Sequence, residues 1–572
     1  MMKSSARDHR AGRIGCPSPC ASGEKVAEGR MRGRAIITSL GFLLLVSACS
    51  LSTKAPMPLD LKITNGRIVD GTGAPWYRGD IGVRGDTIAE IGDLSRVNAK
   101  STIDAHGQIV SPGFIDLLGQ SQGSVIVDPH LEAKVRQGVT TEVTGEGHSP
   151  GPSLPGKGRW RTLGDYLDTI DRQGSAINFA LLVGASNPRE MVIGEINRQP
   201  TAAEMQQMEA IVDQAMRDGA IGISTSLIYL PAMYSTTEEI VNLARVAAKY
   251  HGVYFTHMRD EGDRIDMGLD EAFRIGREAS IPVNIWHLKV GGVANWGRMP
   301  HVIERIEQAR REGIDVAANV YPYPASGTGL STLAPDWAME GGYADFQKRL
   351  QDPVQRAKIF VEFNRQFARR GSKGIFVANI DNPALARYQR KFLEDIAREM
   401  NLPEDEALAR LFTETKSSPN VVYFSMNEDD VKFALKQPWV SVGSDSGSPT
   451  PQARAKGSYS HPRAYGTFPR VLGHYVRDEK LFSLEEAVRK MTSQAADRAN
   501  LENRGVLRPG MKADIAVFDP QTIRDVATFE NPAQFSTGVI DVVVNGVPVL
   551  LDGAMTPALP GHSIRGAGYV KK

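Results

Sequence analysis

The sequence predicts an α/β fold: a TIM-type (β/α)8 barrel with a small β-sandwich built from both chain ends. In the centre of the chain, short apolar runs alternate about eight times with helical patterns, which is typical of a parallel sheet whose strands are joined by helices. Both chain ends instead contain short β-like runs interrupted by Gly and Asp, as hairpins are. An open, doubly wound sheet remains the alternative for the centre.

The predicted barrel strands are short apolar runs: 113–117, 140–144, 179–183, 221–226, 252–257, 283–287, 316–321 and 440–444. Two helices are predicted to begin at Ser235-x-x-Glu238 and Ser483-x-x-Glu486, because this spacing lets a hydroxyl and a carboxylate cap free backbone N–H groups. Gly252 predicts the end of the first helix, since glycine readily takes the left-handed backbone that ends a helix.

Domain boundaries follow from these changes of pattern. Residues 49–59 form a linker, 60–111 and 506–566 form the sandwich, and 112–505 form the barrel. The stretch 324–437 lies between the last two predicted strands and contains helical patterns. We expect it to be an inserted cap subdomain over the barrel mouth, the end at which such barrels hold their active sites.

Composition excludes several classes of protein. The 572 residues include 67 Lys and Arg against 66 Asp and Glu, which argues against a nucleic-acid-binding protein because that role needs a basic excess. The cysteines are Cys16, Cys20 and Cys49. The main body therefore has neither a disulfide framework nor a thiolate-rich zinc site, and any metal there must be bound by His, Asp or Glu.

Residues 31–48 have the organisation of a lipoprotein signal peptide. A basic start, an apolar run over 36–46 and two small residues precede Cys49. The run is too short to span a bilayer comfortably, and the residues before the cysteine resemble a bacterial lipobox. We expect export and a lipid anchor at Cys49 on the periplasmic face of the outer membrane. Residues 1–30 are then an untranslated or non-structural extension before a start at Met31.

Four chemically competent residues occupy equivalent places at the ends of predicted strands: Glu146, His257, His287 and Asp445. The carboxyl ends of barrel strands meet at one mouth, so these side chains are expected to lie close together. Two neutral imidazoles and a carboxylate suit Zn²⁺ with an open position for water, and an adjacent Asp suits a general base. Spacing alone leaves scaffold roles for the histidines open.

An ordered set of motifs connects these positions. They are LKITNGRIVDGTGAPWYRGDIGVRGDTIAEIG at 61–92, PGFID at 112–116, GVTTEVTGEG at 138–147, THMRDE at 256–261, WHLKVGG at 286–292, YPYPASGTGL at 321–330, GSDSG at 443–447, HPRAYGTFPRVLG at 461–473 and RGVLRPGMKADIAVFDP at 504–520. The set resembles the amidohydrolase superfamily and, within it, the N-acyl-D-amino-acid deacylases (D-aminoacylases), over about residues 61–566.

The resemblance implies a metal-dependent amide hydrolase that removes the acyl group from N-acyl-D-amino acids or D-configured dipeptide-like amides. It assigns Glu146, His257 and His287 as ligands of one Zn²⁺ per chain, with Mn²⁺ or another divalent ion as alternatives. It makes Asp445 the general base for a zinc-activated water.

The resemblance also places three residues around the α-carboxylate of a small-molecule substrate: Lys289, Tyr321 and Arg463. Arg provides the planar fork that matches a carboxylate, and Lys provides a point charge near the metal. No nucleic-acid partner is expected, and a membrane only through the lipid anchor.

Two departures from the family pattern matter. The superfamily follows PGFID with x-His-x-His, whereas this chain has Leu118 and Gln120 at the two histidine positions. The first of two possible metal positions is therefore expected to be absent. The deacylases commonly have Cys where this chain has Glu146, and a carboxylate is an acceptable, harder ligand. His148 is a candidate substitute ligand or a loop residue.

Two other functions remain as alternatives. One is a cyclic-amide hydrolase of the hydantoinase or dihydroorotase kind. The other is a degenerate, non-catalytic, lipid-anchored binding protein, which the departures at Leu118 and Gln120 favour and the retained His257, His287 and Asp445 oppose.

Overall fold

The computed structural model of the protein describes residues 58–156 and 158–571. The predicted extension 1–30, the signal peptide 31–48 and the lipidation site Cys49 lie outside the described residues, as does most of the linker. Within the described part, no helix combines the length and the apolar character needed to cross a membrane.

The centre of the chain forms a barrel of eight parallel strands. In chain order they are Phe114–Asp116, Val139–Thr144, Asn178–Gly184, Gly222–Ser226, Val253–His257, Val283–Ile285, Val316–Val320 and Val440–Val442. Consecutive strands pair in parallel. Beyond the ends of the first and eighth strands, a parallel bridge joins Gly119 to Ser446, and the Asp445 N–H donates to the Leu118 carbonyl over 2.7 Å. The predicted barrel is confirmed, and the open sheet is excluded.

Burial explains why these segments form strands. Every residue of the eight strands is buried, as expected when helices cover a parallel sheet and side chains fill its interior. Inside the barrel, Trp286 packs against Phe255 with ring centroids 5.3 Å apart, and its indole N–H donates to the Leu117 carbonyl over 2.9 Å. This apolar packing closes the barrel interior below the ends of the strands.

Helices follow the barrel strands, as the alternating pattern predicts. The longer ones are Leu163–Gln173, Ser186–Val192, Ala202–Asp218, Thr237–Ala248, Ile265–Ala279, Met299–Arg311, Glu428–Leu435, Arg463–Arg470 with its π-helical continuation Val471–Asp478, Leu484–Met491 and Ser493–Arg498. Short helices are Ser124–Val127, Glu132–Val135 and Pro451–Ala455, and short 3-10 turns are Ala232–Tyr234 and Val293–Asn295.

One predicted helix boundary is wrong by one residue. The cap of Thr237–Ala248 is Thr236, whose hydroxyl accepts the Glu239 N–H over 3.3 Å, while the Ser235 hydroxyl donates to the Glu239 carboxylate over 2.7 Å. The left-handed residue after this helix is His251, with φ 56°, and not Gly252. At the other predicted start, Ser483 accepts the Glu486 N–H over 3.1 Å, as expected.

Both chain ends contribute to one nine-stranded sheet. Its strands are Leu59–Ile68, Tyr77–Arg84, Thr87–Gly92, Ala99–Asp104, Ile109–Pro112, Ile515–Phe518, Val539–Val544, Val547–Leu551 and Ala554–Met555. The two ends meet where Ile109–Pro112 pairs antiparallel with Ile515–Phe518, and an apolar core of its own lies against the sheet. The final strand, Ser563–Ile564, pairs instead with the third barrel strand.

The segment between the seventh and eighth barrel strands contains an antiparallel sheet of four strands with its own apolar core. The strands are Ser326–Gly329, Ile375–Asn379, Lys391–Phe392 and Asn420–Tyr423, the helices are Tyr343–Gln351, Pro353–Arg370, Leu393–Met400 and Glu404–Thr413, and the 3-10 turns are Leu330–Leu333, Asp336–Met339, Ser372–Gly374 and Pro383–Tyr388. Residues of the first strand line the same cavity as the ends of the barrel strands, so this segment forms one wall of the site.

Candidate active site

Three potential metal ligands converge at the mouth of the barrel. Glu146 lies two residues beyond the second strand, His257 ends the fifth, and His287 lies two residues beyond the sixth. Glu146 Oε1 is 3.1 Å from His257 Nδ1 and 3.3 Å from His287 Nε2, and the two imidazole nitrogens are 3.0 Å apart. The three atoms thus face one common point, as the sequence predicts for a metal site.

These distances fit a divalent ion. Ligand atoms about 2.1 Å from a tetrahedral zinc lie about 3.4 Å from one another, so the three atoms need to move apart by only a few tenths of an ångström. The set of one carboxylate and two imidazoles is a common catalytic zinc arrangement and leaves a fourth position open. The residues present therefore fit the metal that the sequence predicts.

The backbone at this mouth is unusual. His287 and Asp445 have φ of 36° and 49°, in the left-handed region that costs a residue other than glycine about 1–3 kcal/mol. The His287 N–H is held there by a 2.6 Å hydrogen bond to Asn319 Oδ1. Gly145 has φ 102°, and a Cβ there would lie 2.4 Å from the Leu182 carbonyl oxygen. Such strain is typical of positions that a functional site fixes.

Glu261 lies behind both histidines and was not identified from the sequence. Its carboxylate is 3.3 Å from His257 Nε2 and 3.0 Å from His287 Nδ1, the two nitrogens that face away from the common point. The Lys289 ammonium lies 2.8 Å from the same His287 nitrogen. The negative charge of Glu261 beside both outward nitrogens favours the tautomers that carry a proton there and leave the other nitrogens free to bind metal. The available signal was an acidic residue four positions after His257.

Gln120 lies at the barrel mouth, where the family pattern has a histidine, but it makes hydrogen bonds to two carboxylates. Its side-chain amide donates to Glu146 Oε2 over 2.8 Å and to Asp445 Oδ1 over 2.9 Å. The residue that replaces a histidine of the family pattern thus joins the ligand carboxylate to the predicted general base. Leu118, at the other replaced histidine position, is fully buried in the barrel interior.

The acids and bases of the site have shifted pKa values. Burial raises the pKa of Glu146, but hydrogen bonds with His257 and His287 outweigh it and hold that pKa well below its usual range. Burial and Lys289 lower the pKa of His287, yet Glu261 and Asp445 outweigh both and bring it to about 9. Burial raises the pKa of Asp445 despite the nearby Arg463. Shifts of this kind cluster at catalytic sites.

The predicted substrate-binding residues lie together around one aromatic ring. The Arg463 guanidinium is 4.6 Å and the Lys289 ammonium 5.9 Å from the centre of the Tyr321 ring. Arg463 pairs with Asp445 Oδ2 over 2.8 Å, and Lys289 with Glu261 over 2.8 Å. Tyr321 is fully buried and its hydroxyl lies 3.2 Å from Met426 Sδ. Arg463 and Lys289 line the cavity, with the Tyr321 ring behind them.

Two other histidines, His148 and His461, lie apart from the three candidate ligands. His148 is mostly exposed, 3.8 Å from Glu190, and lines a separate depression. It is therefore not a substitute ligand in this structure. His461 is buried, and its Nδ1 accepts the Arg463 N–H over 3.1 Å. It thereby holds the start of the helix that presents Arg463.

The cavity above these residues has a volume of about 860 Å³, near the upper end of the range for small-molecule sites. Barrel residues form its floor, and the inserted segment contributes one wall through Ser326, Thr328 and Tyr423. It is large enough for an amino acid together with an acyl group. The geometry thus brings a candidate metal site, a buried carboxylate and two cations together in a single cavity.

Comparisons with known proteins agree with this geometry. Residues 422–550 match the Amidohydrolase family. D-aminoacylase of Alcaligenes xylosoxydans xylosoxydans is 37% identical over 521 residues, which cover 88% of this chain and 97% of that protein. The structure of N-acyl-D-glutamate deacylase from Bordetella bronchiseptica, complexed with zinc and a phosphonate inhibitor, has a TM-score of 0.77 at 34% identity and covers 89% of this chain and 100% of that one.

A structure of D-aminoacylase, described by one-metal activation and second-metal attenuation of its binuclear centre, has a TM-score of 0.75 at 37% identity, with 89% of this chain and 100% of that chain covered. Identity at this level over nearly the full length of both chains establishes common descent. The chain therefore belongs to the amidohydrolase family, in the group that contains D-aminoacylase and the N-acyl-D-amino-acid deacylases.

Proposed function

We propose that this protein hydrolyses N-acyl-D-amino acids to a carboxylate and a free D-amino acid, using one divalent metal ion per chain, with zinc as the first candidate. The chain is a metal-dependent hydrolase of linear amide C–N bonds. The observation that carries the proposal is the convergence of Glu146, His257 and His287 on one point. The buried Asp445, paired with Arg463, lies beside them.

Glu146, His257 and His287 would hold the metal ion. When bound, such an ion supplies a Lewis acid that polarises the acyl carbonyl and lowers the pKa of a water. Glu261 orients both histidines through their outward nitrogens, as the second layer of metal sites does.

Arg463 and Lys289 would bind the α-carboxylate of the substrate. Arg463 Nε is buried and makes no hydrogen bond with any described residue, so the guanidinium has donor capacity left after its contact with Asp445. A carboxylate is a suitable partner for these free N–H donors, because hydrogen bonds between a guanidinium and a carboxylate are strong. The Tyr321 ring behind both cations favours their positions through cation–π contacts.

Asp445 would carry the proton. Its carboxylate is held between the Gln120 amide at Oδ1 and Arg463 at Oδ2, so its orientation is fixed before substrate arrives. Burial raises the pKa of this group, which increases its capacity to accept a proton from the attacking water. Asp445 then gives that proton to the departing amine nitrogen, which balances the hydrolysis of one amide by one water.

The test is product analysis with the purified full chain. N-acetyl derivatives of D- and L-leucine, D-glutamate and D-aspartate, together with hydantoin, are incubated with the zinc-loaded protein and the released amines are quantified. The proposal expects release from D-enantiomers only. Release from L-enantiomers, ring opening without amine release from the acyl compounds, or no activity on any compound would each contradict it.

We also propose that the chain is an exported lipoprotein, anchored through Cys49 on the periplasmic face of the outer membrane. The support is the basic, apolar and small-residue sequence before Cys49. Mass analysis of the mature protein from cell membranes should give an acylated N-terminal Cys49, and Cys49→Ala should abolish both processing and membrane retention. An unmodified N-terminus upstream of Cys49 would refute the anchor.

A further inference from the structure

One amide group occupies the space between two carboxylates at the metal site. The Gln120 amide nitrogen lies 2.8 Å from Glu146 Oε2 and 2.9 Å from Asp445 Oδ1. The other oxygen of Glu146 faces the two histidine ligands, so Oε2 points away from that metal position. Two carboxylate oxygens that face one point, next to a first metal, are the natural bridge to a second cation.

The amide fills this place. A zinc ion would need to approach the same two oxygens to about 2.0–2.2 Å, which the amide nitrogen between them prevents. Leu118, the neighbouring position that could supply a further ligand, is fully buried and apolar. A second ion would therefore have to displace Gln120 and would find only the two carboxylates in exchange.

We infer that the Gln120 side-chain amide takes the place of a second metal ion, linking Glu146 to Asp445, and that this chain is thereby restricted to one metal and resists inhibition by excess zinc. This inference rests on the proposed function. Each amide hydrogen satisfies one carboxylate, as a bridging cation would, but the amide is neutral. Asp445 therefore keeps its basicity, whereas a directly bound cation lowers the pKa of a carboxylate by about 1–3 units.

This assignment makes Gln120 a positioning residue for the general base. A related D-aminoacylase is described as attenuated by a second metal. In this chain, the same mouth of the barrel has a hydrogen-bond donor in place of a possible ligand. The Gln120 amide orients Asp445 without lowering its basicity as a second bound metal ion would.

The experiment compares the full-length wild-type protein with Gln120→Glu and Gln120→Ala. Each is dialysed against zinc in stoichiometric amount and in large excess, and bound zinc per chain is measured before activity. The matched control is Gln122→Glu. It adds the same charge two residues away, where the Gln122 amide oxygen accepts the Thr144 hydroxyl and lines the other depression. Weak surface sites such as Glu428, His474 and Glu479 contribute equally to all variants.

We expect Gln120→Glu to bind one more zinc per chain than wild type in excess zinc, and to lose about tenfold activity as that ion binds, in keeping with a lowered Asp445 basicity. Wild type and Gln122→Glu should keep both their stoichiometry and their activity. Gln120→Ala should have a lower kcat than wild type with one zinc bound and little change in KM, because the base loses its orientation.

Two results would overturn the inference: binding of the additional ion by wild type with inhibition equal to that of Gln120→Glu, or an unchanged stoichiometry in Gln120→Glu. An inactive wild type with one firmly bound zinc would refute the proposed function instead, and the binding comparison would still test the role of Gln120.

Discussion

Removal of the charge from Glu261 should weaken metal binding without changing any ligand. In the tautomers that bind metal, the protonated nitrogens of His257 and His287 lie 3.3 and 3.0 Å from this carboxylate. Glutamine has the same shape, but it offers one oxygen and an N–H₂ group that faces the second imidazole N–H. Loss of one such partner typically costs 10–100-fold in affinity. Because Glu261 serves two ligands, we expect about 100-fold for Glu261→Gln, or about 2.7 kcal/mol.

The assay is competition for zinc between the protein and a chelator of known affinity, at constant pH. Glu271→Gln is the matched control, since Glu271 is another largely buried glutamate in a charge pair, with Arg259 over 2.9 Å, and it touches neither histidine. The control should bind zinc as wild type does. An affinity of Glu261→Gln within threefold of the control would refute the role assigned to Glu261.

Three further predictions concern the base, the substrate carboxylate and Lys490, a buried lysine of the helix Leu484–Met491 that donates to the Val440 carbonyl at the start of the eighth strand. Asp445→Asn should retain its metal while kcat falls by about 10²–10⁴-fold, the usual contribution of a general base, in a metal analysis run beside an activity assay. Arg463→Met should reduce by about tenfold or more the preference for an N-acyl-D-amino acid over its uncharged carboxamide, since a charged hydrogen bond contributes about 1.5–3 kcal/mol; an unchanged ratio of kcat/KM values would contradict this. Burial lowers the pKa of Lys490 to about 8 from its ordinary 10.5. Between these two pH values Lys490 binds more protons in the unfolded chain than in the folded one, so it makes the free energy of unfolding rise with pH, by at most about 1.4 kcal/mol per pH unit. Urea unfolding of Lys490→Met should show a smaller rise with pH, and equal pH dependence in the two proteins would contradict the shift.

Much of the fold was predictable because the alternation of apolar strands and helices is visible in short stretches of sequence. The eight apolar strand runs and the helices between them follow from side-chain patterning, and parallel strands necessarily bring Glu146, His257, His287 and Asp445 to one mouth. The start of the helix after Ser483 was also correct. The cap at Ser235 was not, because two adjacent residues carry hydroxyls: Thr236 accepts the Glu239 N–H, whereas the Ser235 hydroxyl donates to the Glu239 carboxylate.

The remainder of the site depends on contacts between distant residues. Gln120 reaches Asp445, 325 positions away, only because the first and eighth strands meet when the barrel closes. Glu261 is close to His257 in sequence, but its second contact, with His287, depends on the register between the fifth and sixth strands. Similarly, the pairing of Ser563–Ile564 with a barrel strand is a long-range choice that no local pattern contains.

The central claim is that Glu146, His257 and His287 bind one catalytic metal ion, and elemental analysis of the purified full chain tests it most directly. The wild-type protein is analysed beside His257→Ala and, as a matched control, His148→Ala, whose histidine lies in the separate depression. We predict one zinc or other divalent ion per chain in wild type and in His148→Ala, and a loss of that ion in His257→Ala. Wild-type protein that remains without metal after incubation with Zn²⁺ and Mn²⁺, or His257→Ala that retains the ion, would contradict the account.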